Sequence, residues 1–358
     1  MKLFMDIHVI QTVPPSCLNR DDTGSPKTAE YGGVRRARVS SQSWKHAMRL
    51  MFKEYLDVNE LSYRTLKIFD MVADKVIEKA PDYNREDAIL LVKEVFKKAK
   101  VEQSKKHADK SEALFFLSNQ QAENLARLAL EDLEDKEVSK AVVQALKANN
   151  GVDLALFGRM VASNPDINCD ASAQVAHAIS THRIENEYDY FTAVDDLSIE
   201  EEHAGAGMIG TIEYNSATLY RYATVAVHEL YNQLSKDSLA LERALREFNR
   251  AFILSMPRGK QNTFAAHTLP CAVMVSLRVD RPLNLVDAFE RAIESTEGFA
   301  IPSVEAFSKH AAKVYDDFCT KPVSSYVLGE LPSDLGQKLN LKDLLDEVAK
   351  DAVARVTL

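Results

Sequence analysis

The stretch Gly32–Leu56, GGVRRARVSSQSWKHAMRLMFKEYL, organises the reading of the whole chain. A double glycine and an arginine cluster (Arg35, Arg36, Arg38) lead into Ser40, Ser41, Gln42 and Ser43, and an amphipathic pattern then runs to about Leu56. Serine directly before an apolar-periodic segment is a helix N-cap signal, so Ser40 or Ser41 is expected to cap a helix. At helical spacing Trp44, Ala47, Met48, Met51 and Tyr55 share one face, which should be buried. Gln42, Lys45, Arg49 and Lys53 fall on another.

Charge sharpens this. Over residues 14–53, Arg20, Lys27, Arg35, Arg36, Arg38, Lys45, Arg49 and Lys53 stand against only Asp21, Asp22 and Glu30, in a chain whose net charge is -9. The remainder therefore carries about -14. An acidic protein that concentrates cation in one segment is suited to binding a polyanion there. Serine hydroxyls, free backbone N–H groups at a helix start and cations one turn apart suit successive phosphates. A solvated basic helix face is the plainer alternative, and composition leaves it open.

At 358 residues the chain can hold two ordinary domains, or one core with a large insertion. Its 46% apolar and 27% charged content is that of a globular protein with ordinary solubility. No apolar run reaches membrane-span length, and Asp6 and His8 interrupt Met1–Val13, so neither signal peptide nor anchor is expected and the protein should be cytoplasmic, away from membranes. Cys17, Cys169, Cys271 and Cys319 lie far apart without a C-x-x-C pair, which indicates neither a zinc ribbon nor a disulfide framework. His177 and His182, five apart in an apparent strand, would point to opposite faces and are expected to be structural. No metal or cofactor is expected.

Working outward, Leu3, Met5, Ile7 and Val9 alternate with Phe4, Asp6, His8 and Ile10, the period of a first strand. Helical patterns at 60–79, 85–105, 111–132 and 136–148, with no convincing strand between them, read as an all-helical insertion. Strand character returns at 173–182, 188–194 and 211–227, with an acid- and glycine-rich loop at 195–210. Helices are expected at 238–255, 285–294 and 341–355, and a strand at 271–279. With the insertion removed, the order matches a βαββαβ ferredoxin-like α+β core, the framework of RNA-recognition domains.

Several segments go beyond generic pattern: IHVIQTVPPSCLNRDD from Ile7, GGVRRARVSSQSWKHAMR from Gly32, GVDLALFGRM from Gly151, AHAISTH from Ala176, FTAVDDL from Phe191, YRYA from Tyr220 and SVEAF from Ser303. In this order they resemble the CasC-type backbone subunit of the type I-E CRISPR surveillance complex, Cascade. The resemblance implies a hand-shaped protein: an RNA-recognition-like (RRM-like) palm, inserted helical fingers and a projecting thumb. It implies palm at 1–56, 175–194 and 216–358, fingers at 57–174 and thumb at 195–215. Copies would stack along a guide RNA (crRNA), each thumb pushing one nucleotide out so that the bases between can pair with target DNA. Other Cascade subunits would be partners. Carried over by position, Arg20, Lys27, Ser40, Ser41, Gln42, Lys45 and Arg49 would hold the guide backbone, with Met160 and Thr192 beside the displaced nucleotide. His46 stands where a second basic residue is common, and Tyr190 where a tryptophan can precede the phenylalanine. Met160 has a competing reading as a core methionine.

The rival class is a metal-dependent nuclease using Asp195 and Asp196, with Asp21 and Asp22 as a further carboxylate pair. Two-metal chemistry needs carboxylates that converge on ions, and adjacent strand residues point opposite ways, so neither pair makes a site alone. Asp21 and Asp22 sit among cations, where turn formation is the simpler account. The chain is therefore expected to be non-catalytic.

Overall fold

β1 (Phe4–Ser16) forms the spine because it is buried on both faces, one of them carrying Asp6 and His8, and it is hydrogen-bonded along both edges. The computed structural model describes residues 1–107, 109–131, 135–193 and 208–357. After β1 come β2 (Thr28–Tyr31), β3 (Val34–Val39), α1 (Ser41–Tyr55), β4 (Ser62–Thr65), α2 (Ile68–Lys79), α3 (Arg85–Lys98), β5 (Phe115–Ser118), α4 (Asn119–Leu130), α5 (Asp135–Lys147) and α6 (Val152–Phe157). The chain continues through β6 (Ala173–Val175), β7 (Ala178–Ser180), β8 (Glu187–Ala193), β9 (Met208–Ala226), α7 (Val227–Gln233), α8 (Ser238–Leu254), α9 (Gln261–Phe264) and β10 (Ala272–Arg278). It ends with α10 (Ala300–Asp317), β11 (Ser324–Gly329), β12 (Gln337–Lys338) and α11 (Leu341–Val356). The fold is mixed α+β.

The main sheet runs β12-β11-β10-β1-β9-β7-β3-β2, with β6 and β8 also pairing to β9. All pairings are antiparallel except β11 with β12. Leu3, Met5, Ile7 and Val9 pack on one face with Trp44, Met48 and Phe52 of α1, Phe248 and Phe252 of α8, and Leu344 and Val348 of α11. The opposite face, with Ile10, Tyr220, Tyr222 and Met274, is covered by Phe289 and by Val304 and Phe307 of α10. A separate core spans Ile68 to Ile167 and is built by α2 to α5 with β5. Among the described residues no helix is long and apolar enough to cross a membrane.

The expected all-helical insertion is corrected: β4 and β5 pair Ser62 with Ser118 through Thr65 with Phe115, four-residue strands too short to show a period. The expected helix at 285–294 is only a 3-10 turn, Val286–Phe289. The carbonyls of Phe289 and Glu290, which a continuing helix would use internally, accept the Arg36 guanidinium instead (2.9 and 3.2 Å). The strand read at 173–182 breaks into β6 and β7, and the polar run before Tyr31 contains β2. Gly32 and Gly33 form the β2–β3 turn at φ 60 and 73, and a Cβ on Gly32 would lie 1.7 Å from the Glu290 carbonyl oxygen. Asp195, Asp196 and most of the 195–210 loop lie outside the described residues.

Candidate nucleic-acid interface

The interface starts at α1. Ser40 is its N-cap, accepting Ser43 N–H at 3.3 Å, while its own N–H donates to Asn19 Oδ1 at 2.9 Å. The first turn carries no acid, so no carboxylate of that turn offsets its positive end. Ser40 and Ser41 are nearly buried, and the Ser41 hydroxyl faces Gln42 Oε1 at 3.5 Å. Trp44, Ala47, Met48 and Phe52 turn inward as an amphipathic helix requires. Tyr55, expected inside, is 49% exposed beneath the Arg250 guanidinium.

Gln42, Lys45, His46 and Arg49 line one wall of a cleft of about 520 Å³. Arg64 of β4, Leu114 and Phe116 form the other wall, and Met160 stands at its rim. Lys45 has no carboxylate partner among the described residues. Its ammonium lies 5.8 Å from the Phe157 ring centroid, and burial pulls its pKa below the usual lysine range. Arg49 differs: its Nε donates to Asp153 Oδ2 at 3.0 Å, Nη2 donates to the Ser62 carbonyl at 3.2 Å, and the guanidinium lies 4.6 Å over Phe116. The Asp153 side chain is 3% exposed; burial raises its pKa, and Arg49 opposes that shift.

Met160 is 86% exposed, which excludes its reading as a core residue. Its position is set by the preceding residues. Gly158 adopts φ 76 where a Cβ would meet the Cys169 carbonyl at 2.8 Å, and Arg159 is buried, donating to the carbonyls of Ile167, Phe116 and Leu146 and to Gln121 Oε1. The guanidinium thus ties the loop to the second core and leaves the methionine free at the cleft.

Alongside α1, Lys27 is pinned by its backbone, its N–H to Asn19 O and its carbonyl accepting Arg38 N–H, both at 2.9 Å. Arg38 donates from Nη1 to His177 Nδ1 at 3.1 Å, so His177 is neutral with its proton on Nε2. Burial, then the charges of Arg38, Lys27 and Lys45, push the His177 pKa down, which places three cations around one imidazole. Arg36, by contrast, is fully buried as a clamp on Tyr31, Ser180, Phe289 and Glu290 carbonyls.

Arg20 is exposed on a loop closed by Asp21, whose Oδ1 accepts from Thr23 N–H, Thr23 Oγ1 and Ser25 N–H. Asp21 is therefore a turn former, and its pKa is held below the usual carboxylate range chiefly by the Thr23 hydroxyl. Thr192 lies outside the cleft, exposed on the β8–β9 ribbon opposite Ile209, next to Phe191, whose ring covers Gly210 so closely that a Cβ there would be 2.4 Å away. Gln42, Lys45, Arg49 and Met160 thus converge on one cleft, Ser40 and Ser41 stand at the start of α1, Lys27 lines a separate small hollow with Arg38, and Arg20 and Thr192 are apart.

Sequence reasoning did not single out Arg64 and Leu114, which line this cleft, and read His177, the partner of Arg38, as a structural histidine. Only the exposed side of the broken β6–β7 strand could have signalled His177. The sheet face that carries Tyr220 and Tyr222 is closed: the Tyr220 hydroxyl is 2.9 Å from His8 Nδ1, Tyr222 donates to Asp6 Oδ1 at 2.9 Å, and both rings are buried. Among the described residues no group of histidines, cysteines and acids could hold a metal ion.

No curated protein matches the chain. It is similar to a chain of a solved structure described as a "CRISPR RNA-guided surveillance complex, pre-nicking", with 33% identity, TM-score 0.83 and coverage of 98% of this chain and 100% of that one. It is also similar to a chain of a "CRISPR RNA-guided surveillance complex" at 28% identity and TM-score 0.64, covering 98% and 99%. The sequence profile of the CT1975-like protein family matches residues 5–351. By that match, which spans nearly the whole length, this chain belongs to the CT1975-like protein family.

Proposed function

We propose that this chain is the non-catalytic, guide-RNA-binding backbone subunit of a CRISPR surveillance complex of type I-E. Several copies stack along one crRNA in the cytoplasm, and the guide is presented with the other subunits for pairing with target DNA. The observation that carries this is the cation track from Lys27 through Arg38 and Lys45 into a cleft whose rim is an exposed methionine. Phosphate contacts without base-edge readers suit a strand held independently of sequence, and an apolar wedge suits the parting of stacked bases. Similarity over 98% of the chain to chains of RNA-guided surveillance complexes supports the same role.

The order β10-β1-β9-β7, with α1 and α8 packed on one face, supports a βαββαβ palm of RNA-recognition type. Because α10 closes the other face, RNA in this account runs along α1 rather than over the sheet. The core from Ile68 to Ile167 serves as fingers and the β8–β9 ribbon as the base of the thumb.

Incubation of the purified chain with single-stranded RNA and Mg²⁺ or Mn²⁺ tests this. Ordered multi-copy assemblies by electron microscopy, with the RNA uncut, are expected. Metal-dependent cleavage that vanishes on Asp195→Ala with Asp196→Ala would overturn the scaffold role.

A further inference from the structure

Two segments far apart in sequence meet beside the head of α1. Gly259 sits on the carbonyls of Cys17 and Leu18, where a Cβ would be 2.3 to 2.5 Å from their oxygens. Gln11 Nε2 donates to the Thr268 carbonyl and Thr268 Oγ1 to the Thr12 carbonyl, both at 2.8 Å, fixing the other end of the segment. Between these anchors, Lys260 and Ala265 both occupy the left-handed region, at φ 45 and 46. Non-glycine residues are strained there, and such strain persists only where the surroundings enforce it. The Gln261 side chain does so, donating to the Pro257 carbonyl at 3.0 Å and accepting Ala266 N–H at 2.9 Å.

Arg258 and Lys260 flank Gly259 in this strained turn, and Gly259 lines an open hollow of about 500 Å³ together with Asn19, Arg20, Asp21 and Asp22. Arg20, Arg258 and Lys260 have no carboxylate or hydrogen-bond partner for their side chains among the described residues. The Cys17 thiol, raised chiefly by burial, is drawn back by Lys260 and Arg20, which places both cations about it; Glu213 and Asp21 push the other way. Asn19 belongs to both places: its side chain holds the N-cap of α1, its carbonyl holds Lys27, and it lines the hollow.

We propose that Arg20, Lys260 and Arg258 form a further phosphate-binding site for single-stranded RNA, continuing the track beyond Lys27 onto the 256–268 segment. This rests on the guide-RNA role proposed above. A phosphate of the same strand would enter the hollow between Arg20 and Lys260, with Asp21, already accepting from Thr23 and Ser25, and Asp22 as the opposing negative groups on its wall.

The test is binding of a labelled, unstructured single-stranded RNA to the full chain. Each neutralised contact removes about 0.7 from the log–log salt slope, so Lys260→Ala should weaken binding about fourfold near physiological salt. Arg258→Ala with Lys260→Ala should weaken it further, and Lys260→Arg should restore it. Thermal unfolding midpoints should stay at the wild-type value, or rise where Lys260→Gly relieves the left-handed backbone. Wild-type affinity and slope in Lys260→Ala, with the wild-type chain binding RNA normally, would overturn this site alone. Failure of the wild-type chain to bind RNA would overturn the guide-RNA role itself.

Discussion

Replacing Arg49 separates a cation that builds the cleft from one that only faces it. Arg49→Ala removes the partner of a carboxylate whose side chain is 3% exposed and whose remaining donor is Ser62 N–H at 2.8 Å. Breaking a buried ion pair from one side costs about 3–5 kcal/mol, and the lower end applies because the cleft admits water to the guanidinium, 20% exposed. The lost stacking on Phe116 adds about 0.5 kcal/mol. Urea unfolding should therefore show a deficit of about 3 kcal/mol, and Arg49→Ala with Asp153→Asn should recover much of it. The sign with pH follows from Asp153, whose folded-state pKa is already raised and rises further once Arg49 is gone. A raised carboxyl favours the folded state below its unfolded pKa and loses that advantage as pH rises, so the deficit should shrink on acidification. Lys45→Ala should leave the unfolding midpoint within about 0.5 kcal/mol of wild type while weakening RNA binding. An Arg49→Ala chain with the wild-type midpoint at every pH would refute the assignment of Arg49 as a structural cation.

Three further outcomes follow from the same geometry. Arg159→Met should lose about 3 kcal/mol by leaving the Phe116, Leu146 and Ile167 carbonyls without their donor, whereas Met160→Ala should be neutral in urea unfolding. Gly32→Ala should lower the thermal midpoint far more than Gly33→Ala, because a Cβ at Gly33 meets nothing within 4 Å and incurs only about 1–2 kcal/mol of left-handed strain. Tyr220→Phe should leave RNA affinity unchanged, as its ring is shielded by α10, while losing its hydroxyl contacts with His8 and Asn284 and the Leu285 N–H donor in a stability assay.

What could be read in advance depended on how local the physics was. The Ser40 cap and the Trp44–Met48 face were legible because capping and helical spacing act within one turn. Phe52 and Tyr55 were harder to sort: both lie near the inward face, and only the position of Arg250 shows which of them is left outside. β4 and β5 were invisible because each is four residues long and surrounded by helices. The expected helix at 285–294 failed through a competitor 253 residues away in sequence, the Arg36 guanidinium. The basic segment was legible as composition, but not the division of labour within it. Arg36 is a clamp, Arg49 is bound to an aspartate 104 residues distant, Lys27, Arg38 and Lys45 are half-buried, and Arg20, Arg35 and Lys53 are exposed. Arg64 comes to the cleft, and His177 to Arg38, only through tertiary placement.

The central claim is that one cation track, and not the chain's general surface, holds RNA. The most direct measurement is the dependence of RNA affinity on salt for the wild-type chain and for Lys27→Ala with Arg38→Ala and Lys45→Ala. Three lost phosphate contacts should reduce the log–log slope by about 2 with the unfolding midpoint preserved. A triple variant that keeps the wild-type slope and affinity would contradict the account.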